Sequence, residues 1–182
     1  MDLAVPDVCI RPMAAEDAER LVAFHGRLSA ESIRNRFFGV HPELSVAEVK
    51  HFTQVDGRER VAFVATEGAA IVGVGRLERL PGTTDAEVAF VVADDLQRQG
   101  IGTRLLARLE VAAGPLGITH FVADTLFSNT AMLHLLHRRE GSCDQVVDGV
   151  VHVRFPIAEV LSAPGLGTFA SCAPTARSVR ST

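Results

Sequence analysis

One stretch of this chain constrains its folding more than any other. An apolar run, Val88-Ala-Phe-Val-Val-Ala93, stops at Asp94-Asp95 and passes through Gln97-Arg98-Gln99-Gly100-Ile101-Gly102. It then enters a helical pattern, Thr103-Arg-Leu-Leu-Ala-Arg-Leu-Glu110. A strand, a glycine-bearing turn and a helix start in that order form an anion site. The first turn of a helix carries backbone N–H groups without intrahelical partners, and the helix dipole favours negative charge there. Glycine lets the backbone come close to a phosphate because it has no Cβ.

Around this stretch the chain reads as an ordered series of elements. Val8 to Arg11 predicts a first strand, and apolar Ala18, Leu21, Val22 and Phe24 predict a helix whose Glu16, Asp17, Glu19 and Arg20 form a polar side. Ser29 is expected to cap a second helix running to Phe37, and Ser45-Val-Ala-Glu48 is a capping box opening a third through Phe52. Arg60–Glu67 and Ala70–Leu77 read as a hairpin, Asp85–Ala93 as the next strand and Gly100–Ala113 as the central helix. Thr119–Leu126 is a strand, Ser128 or Asn129 caps a helix ending near Arg139, and residues 145–153 form a hairpin around Asp148-Gly149.

The unit from residue 85 to 126 must be a right-handed parallel β-α-β, while the hairpins are antiparallel. The fold class expected is therefore α/β in the α+β sense: a mixed, mostly antiparallel sheet of about seven strands, with a central parallel unit and flanking helices. With 182 residues, 47% hydrophobic and 22% charged, one domain is expected over residues 1–160. Residues 161–182, rich in small residues and turn formers, are expected to be a poorly ordered tail.

Composition limits the partners. A net charge of −4 gives no electrostatic reason to expect nucleic acid or an anionic membrane. No run approaches the ~18 apolar residues of a membrane span, and the N-terminus lacks a signal-peptide pattern. The three scattered cysteines, Cys9, Cys143 and Cys172, suggest neither a disulfide framework nor a zinc site, so a cytoplasmic setting is expected.

Two phosphate motifs are excluded. A dinucleotide fingerprint starting at Gly100 would need glycine or alanine where Leu105 stands, and a Walker A loop would need a nearby lysine. The segment Gln97-Arg98-Gln99-Gly100-Ile101-Gly102 instead resembles the pyrophosphate-binding motif of the GNAT acetyltransferase superfamily, and the element order is the one that superfamily uses. Arg34-Asn-Arg-Phe-Phe38, Leu44-Ser-x-x-Glu-Val49 and Ala86–Asp95 are similar to bacterial protein-lysine acetyltransferases of the Pat type.

The resemblance implies acetyl-CoA as cosubstrate and no metal. It implies cofactor contacts from Gln97, Arg98, Gln99, Gly100, Ile101, Gly102 and Thr103, and backbone contacts from Phe90, Val91 and Val92. Asn129 reads equally as a helix cap and as a cofactor contact, and the two roles are compatible. The tyrosine that many members use to protonate the leaving thiolate is replaced by Leu136; the chain holds no tyrosine at all.

Acetyl transfer to an amine requires a neutral nitrogen, and a carboxylate beside it can take the proton. Glu87, the only acid inside its apolar strand, is the candidate base; otherwise it merely faces solvent. His134 and His137 lie three residues apart without further convincing metal ligands, and His137 remains an option as thiolate acid. Arg34 and Arg36 read as solvated helix charges or acceptor-site residues.

The expected function is direct acetyl transfer to an amine, foremost a protein lysine. A small-molecule amine acetyltransferase and a non-catalytic acetyl-CoA-binding regulator are the alternatives. The acceptor, acyl-chain selectivity and a homodimeric state stay open.

Overall fold

The computed structural model describes residues 8–137 and 143–158. In chain order it contains β1 (Val8–Pro12), α1 (Ala18–His25), α2 (Ala30–Phe37), α3 (Val46–Thr53), β2 (Arg60–Glu67), β3 (Ala70–Arg79) and β4 (Asp85–Val92). There follow α4 (Ile101–Ala113), β5 (His120–Leu126), α5 (Thr130–Leu136), β6 (Cys143–Val147) and β7 (Val150–Pro156). The seven strands form one sheet in the order β1-β2-β3-β4-β5-β7-β6. Only β4 and β5 are parallel, joined through α4, and the other neighbours are antiparallel. The mixed, mostly antiparallel sheet is the one the sequence predicts. The expected helix end near Arg139 and the tail beyond residue 160 lie outside the described residues.

The period-two alternation of the strands divides the core between the two faces of the sheet. On one face α4 buries Leu105, Leu106, Leu109 and Ala113 completely, against Val88, Phe121, Ala123 and Phe155 among others. On the other face Leu21 and Phe24 of α1, with Leu28 just after it, pack on Ala62, Val64 and Ile71. Each large aliphatic or aromatic side chain so buried contributes about 1.5–3 kcal/mol. The central helix can approach β3 because two positions there lack a side chain. A Cβ on Gly73 would lie 3.2 Å from Ile101 Cγ2; on Gly75 it would meet Phe90 Cδ1 at 3.1 Å and Leu105 Cβ at 3.2 Å.

The helix starts follow their sequence signals. Ser29 Oγ accepts from Ser32 N–H, and Ser45 and Glu48 form the expected capping box. Two features depart from expectation. Cys9 in β1 is disulfide-bonded, where scattered cysteines suggested no cross-link. Asp17, read as part of a polar helix side, is 1% exposed. Its carboxylate is held by both Arg11 guanidinium nitrogens at 2.6 Å and by Ala14 N–H at 3.0 Å, which ties β1 to the start of α1.

Mainly through the Arg11 hydrogen bonds, the Asp17 carboxyl sits below its ordinary range. A carboxyl lowered in the folded state stabilises fully above its unfolded value of about 3.9, and that contribution fades as pH falls through the folded value. Arg11→Met leaves the buried carboxylate without its main partner, so urea denaturation at pH 7 should show a loss of about 3 kcal/mol. The difference from the parent chain should shrink below about pH 4, where protonation removes the charge. An equal loss at pH 7 and pH 3 would contradict the assignment.

Candidate functional site

The site begins where two strands separate. β4 and β5 pair only at Asp85↔His120, Ala86↔Phe121 and Glu87↔Val122. Beyond this, β4 stays on β3 as far as Val92 while β5 stays on β7 as far as Leu126. The result is a V-shaped gap with Glu87 at its vertex.

The direction of the free backbone groups follows from the antiparallel pattern, in which alternate residues bond to one neighbour. Leu80 N–H donates to Asp85 C=O at 3.0 Å and Ala93 N–H to Val72 C=O at 2.8 Å. Odd-numbered residues between them therefore bond to β3, and Phe90 and Val92 turn their N–H and C=O into the gap. Val91, expected to share that backbone role, spends its polar groups on β3, opposite Val74. Its side chain lies with Glu87 and Ala89 on the α1 face of the sheet.

At the open end of the gap lies the glycine turn. Arg98 (φ 60°) and Gly100 (φ 82°) are left-handed, the second directly preceding α4. The first intrahelical bond runs from Arg104 N–H to Gly100 C=O, so the N–H groups of Ile101, Gly102 and Thr103 precede it without helical partners. The first turn carries no acid that would compete with an anion. Gly100 is required by its φ, since a Cβ there would touch nothing within 4 Å; a Cβ on Gly102 would meet only Leu135 Cδ2, at 3.5 Å.

Together these elements line a cleft of ≈ 820 Å³. It gathers Glu87, Phe90, Val91, Val92, Gln97, Arg98, Gly100, Ile101, Gly102, Thr103 and Asn129. Gln99 is not among its lining residues; its side-chain amide donates instead to Asp95 C=O at 3.1 Å. The Gln97 amide is likewise engaged, with Ser32 Oγ at 3.0 Å and Val92 C=O at 3.2 Å. Asn129 Oδ1 caps α5 by accepting from Met132 N–H at 3.1 Å. Leu136, at the expected tyrosine position, is fully buried in the core. His134 lines the cleft; His137 is not one of its lining residues.

A network missed by sequence reasoning ties α2 to the turn. Asp94 accepts from Ser29 N–H (2.9 Å), Ser29 Oγ (2.5 Å) and Ser32 Oγ (2.7 Å). Burial acts to raise its carboxyl, but the bonds from Ser29 and Ser32 outweigh it and leave the group below its ordinary range. The partners are more than 60 residues apart in sequence, so no local spacing announced them. Ser32 also bonds Gln97, and α2 thereby forms a wall of the cleft.

Glu87 is exposed at the mouth on the α1 face. It stands directly opposite Glu78 on β3, an arrangement of like charges that needs compensation. Two arginines supply it. Burial and the neighbouring Arg76 lower Arg36 to about 9, with Glu87 pulling the other way. Burial also lowers Arg76, against the pull of Glu78 and Glu87. Both remain cationic at neutral pH. Arg76 lies over the Phe52 ring, 4.6 Å from its centroid, and Arg36 over Phe37 at 5.0 Å. The reading of Arg36 as a solvated helix charge does not survive this placement. Arg34 is exposed and is not among the cleft-lining residues.

The model of the acetyltransferase (GNAT) family matches residues 28–141. Over 132 residues the chain is 34% identical to the acetyltransferase Pat of Mycolicibacterium smegmatis, which covers 71% of this chain and 39% of that protein. The chain thus spans less than half the length of that relative. The GNAT domain of S. lividans PAT superposes with a TM-score of 0.76 at 34% identity, covering 81% of this chain and 89% of that one. A Salmonella typhimurium protein solved with its cofactor acetyl-CoA shares the fold alone, at TM-score 0.67 and 17% identity over 87% of this chain and 98% of that one. With the family model covering well over half of its length, the chain belongs to the GNAT acetyltransferase family.

Proposed function

We propose that this chain is an acetyl-CoA-dependent N-acetyltransferase that moves the acetyl group directly to an amine, foremost the side chain of a protein lysine. The observation that carries the reading is the β4–β5 gap, with a carboxylate at its vertex and an anion-binding helix start at its open end. The lysine acceptor is supported by the likeness to two Pat proteins.

The residues present fit the cosubstrate. The N–H groups of Ile101, Gly102 and Thr103 would hold its pyrophosphate at the helix start. Phe90 and Val92 would bond the amides of its pantetheine arm as an added strand bonds a sheet edge. Acetyl-CoA brings an acetyl group already activated as a thioester. Glu87 accepts a proton from the acceptor ammonium, directly or through water, which frees the lone pair needed for attack. Arg36 and Arg76 place positive charge beside the two facing carboxylates Glu87 and Glu78 and offset their mutual repulsion. The backbone N–H of Phe90 donates toward the carbonyl oxygen as negative charge develops there.

Release of free thiol from acetyl-CoA should depend on added acceptor, with lysine peptides exceeding polyamines and free amino acids. Cofactor binding without acceptor-dependent thiol would favour a regulatory protein instead. Glu87→Gln should lower kcat/KM by about 100-fold or more, flatten the acidic limb of the pH profile and leave CoA affinity unchanged. An unchanged profile removes Glu87 as base.

Gly102→Val tests the helix-start contacts separately. The space around Gly102 admits a Cβ, so the variant should fold. Its branched side chain would stand between the first-turn N–H groups and a phosphate, and calorimetry should show CoA binding weakened by at least about tenfold.

A further inference from the structure

On the β5 side of the gap lies a polar group that the mechanism above does not use. Thr125 is 1% exposed, and its Oγ1 has no hydrogen-bond partner among the described residues. Buried hydroxyls are normally paired, because leaving one unpaired forfeits its hydration without return. Yet Thr125 also lines the cleft. A hydroxyl without a partner, on a residue that lines the cleft, can be satisfied when a bound ligand brings one.

Strand register fixes its level. β4 and β5 are last in register at Glu87↔Val122. Three residues further along each strand, about 10 Å from the vertex, stand Phe90 and Thr125. Phe90 is also where a β4 N–H enters the gap. Alternation along β5 places Thr125 with buried Phe121 and Ala123, on the α4 and α5 face of the sheet. Glu87 faces the other way. The acceptor amine and the Thr125 hydroxyl therefore reach the gap from opposite faces. Other polar side chains on the Thr125 side, Ser128, Thr130 and His134, are exposed, so water can serve them.

We propose that the Thr125 hydroxyl is the hydrogen-bond donor to the sulfur of the acyl-thioester arm, holding the leaving sulfur on the side opposite Glu87. The inference rests on the acetyl-CoA reading above. As the C–N bond forms, the C–S bond breaks and the sulfur departs with the electron pair. Thr125 donates a hydrogen bond to that sulfur and keeps its own proton. The nitrogen loses two protons: Glu87 takes the ammonium proton before attack and passes it to water, and the proton lost from the nitrogen after attack goes to water as the thiolate leaves.

The test measures binding without turnover. Titration calorimetry compares CoA with desulfo-CoA, in which hydrogen replaces the thiol, on the parent chain, Thr125→Val and Thr125→Ser. The parent should prefer CoA by about tenfold, the size of one hydrogen bond. Thr125→Val should lose that preference while binding desulfo-CoA as the parent does. Its melting temperature without ligand should not fall, since no protein hydrogen bond is removed. Thr125→Ser, which keeps the hydroxyl, should retain the preference. A Thr125→Val variant that still prefers CoA, or that weakens both ligands equally, overturns the sulfur contact while leaving the acetyl-CoA reading intact. Failure of the parent chain to bind either ligand overturns that reading and this inference together.

Discussion

Everything at this site depends on a parallel pairing that stops after three residue pairs. A sheet interior normally satisfies every N–H and C=O by ladder bonds, and buried groups left over carry a free-energy cost. Here β4 and β5 diverge in the middle of a seven-stranded sheet, each kept straight by its antiparallel neighbour. The polar groups of Phe90 and Val92 are left facing the gap. One of them, the Val92 carbonyl, is satisfied from within by Gln97. The gap therefore keeps the N–H groups of Phe90 and Val92 and the Phe90 carbonyl, the alternating donors and acceptor that an extended amide chain would match.

The same strand serves two tasks because its side chains alternate. Ala86, Val88 and Phe90 face α4 and fill the core, so their identities answer to packing. Glu87, Ala89 and Val91 face α1 and α2, where Arg36 and Arg76 reach the neighbourhood of Glu87. A one-residue slip of β4 would bury the carboxylate and expose Phe90. The registry with β3 is held in part by Gly75, whose missing side chain leaves room for the Phe90 ring.

How much of this was legible in the sequence follows from the range of each interaction. The glycine turn, Glu87 and the caps at Ser29, Ser45 and Asn129 are local patterns: the residues that make them lie within a few positions of one another. The pairing of Asp94 with Ser29 and Ser32 spans more than 60 residues and reads in sequence only as a break after an apolar run. Asp17 looked like helix surface because its partner Arg11 sits on a separate strand. Arg36 looked solvated because Phe52 and Arg76, which line the same pocket, belong to α3 and β3 and not to its own helix. Thr125 carried no signal, since a threonine in a strand is ordinary; its lack of a partner is visible only in three dimensions.

Polar cost at this site is concentrated on the cleft and offset elsewhere. The left-handed Arg98 costs about 1–3 kcal/mol, and an unpaired buried hydroxyl such as that of Thr125 about 1–3 kcal/mol. The buried Ile101, Leu105, Leu106 and Leu109 of α4, at about 1.5–3 kcal/mol each, outweigh these sums roughly twofold. That helix also begins at the glycine turn, so the packing that secures Leu105, Leu106 and Leu109 against the sheet also aims the free N–H groups of its first turn at the open end of the gap. The first turn of α4 is thus anchored by the core beneath it. The Asp94 network performs the same service for the wall formed by α2, fastening a short helix to the turn. Rigid support under an incompletely satisfied surface leaves a ligand to supply the missing bonds without first ordering the chain, which is how binding is kept from being spent on conformational entropy.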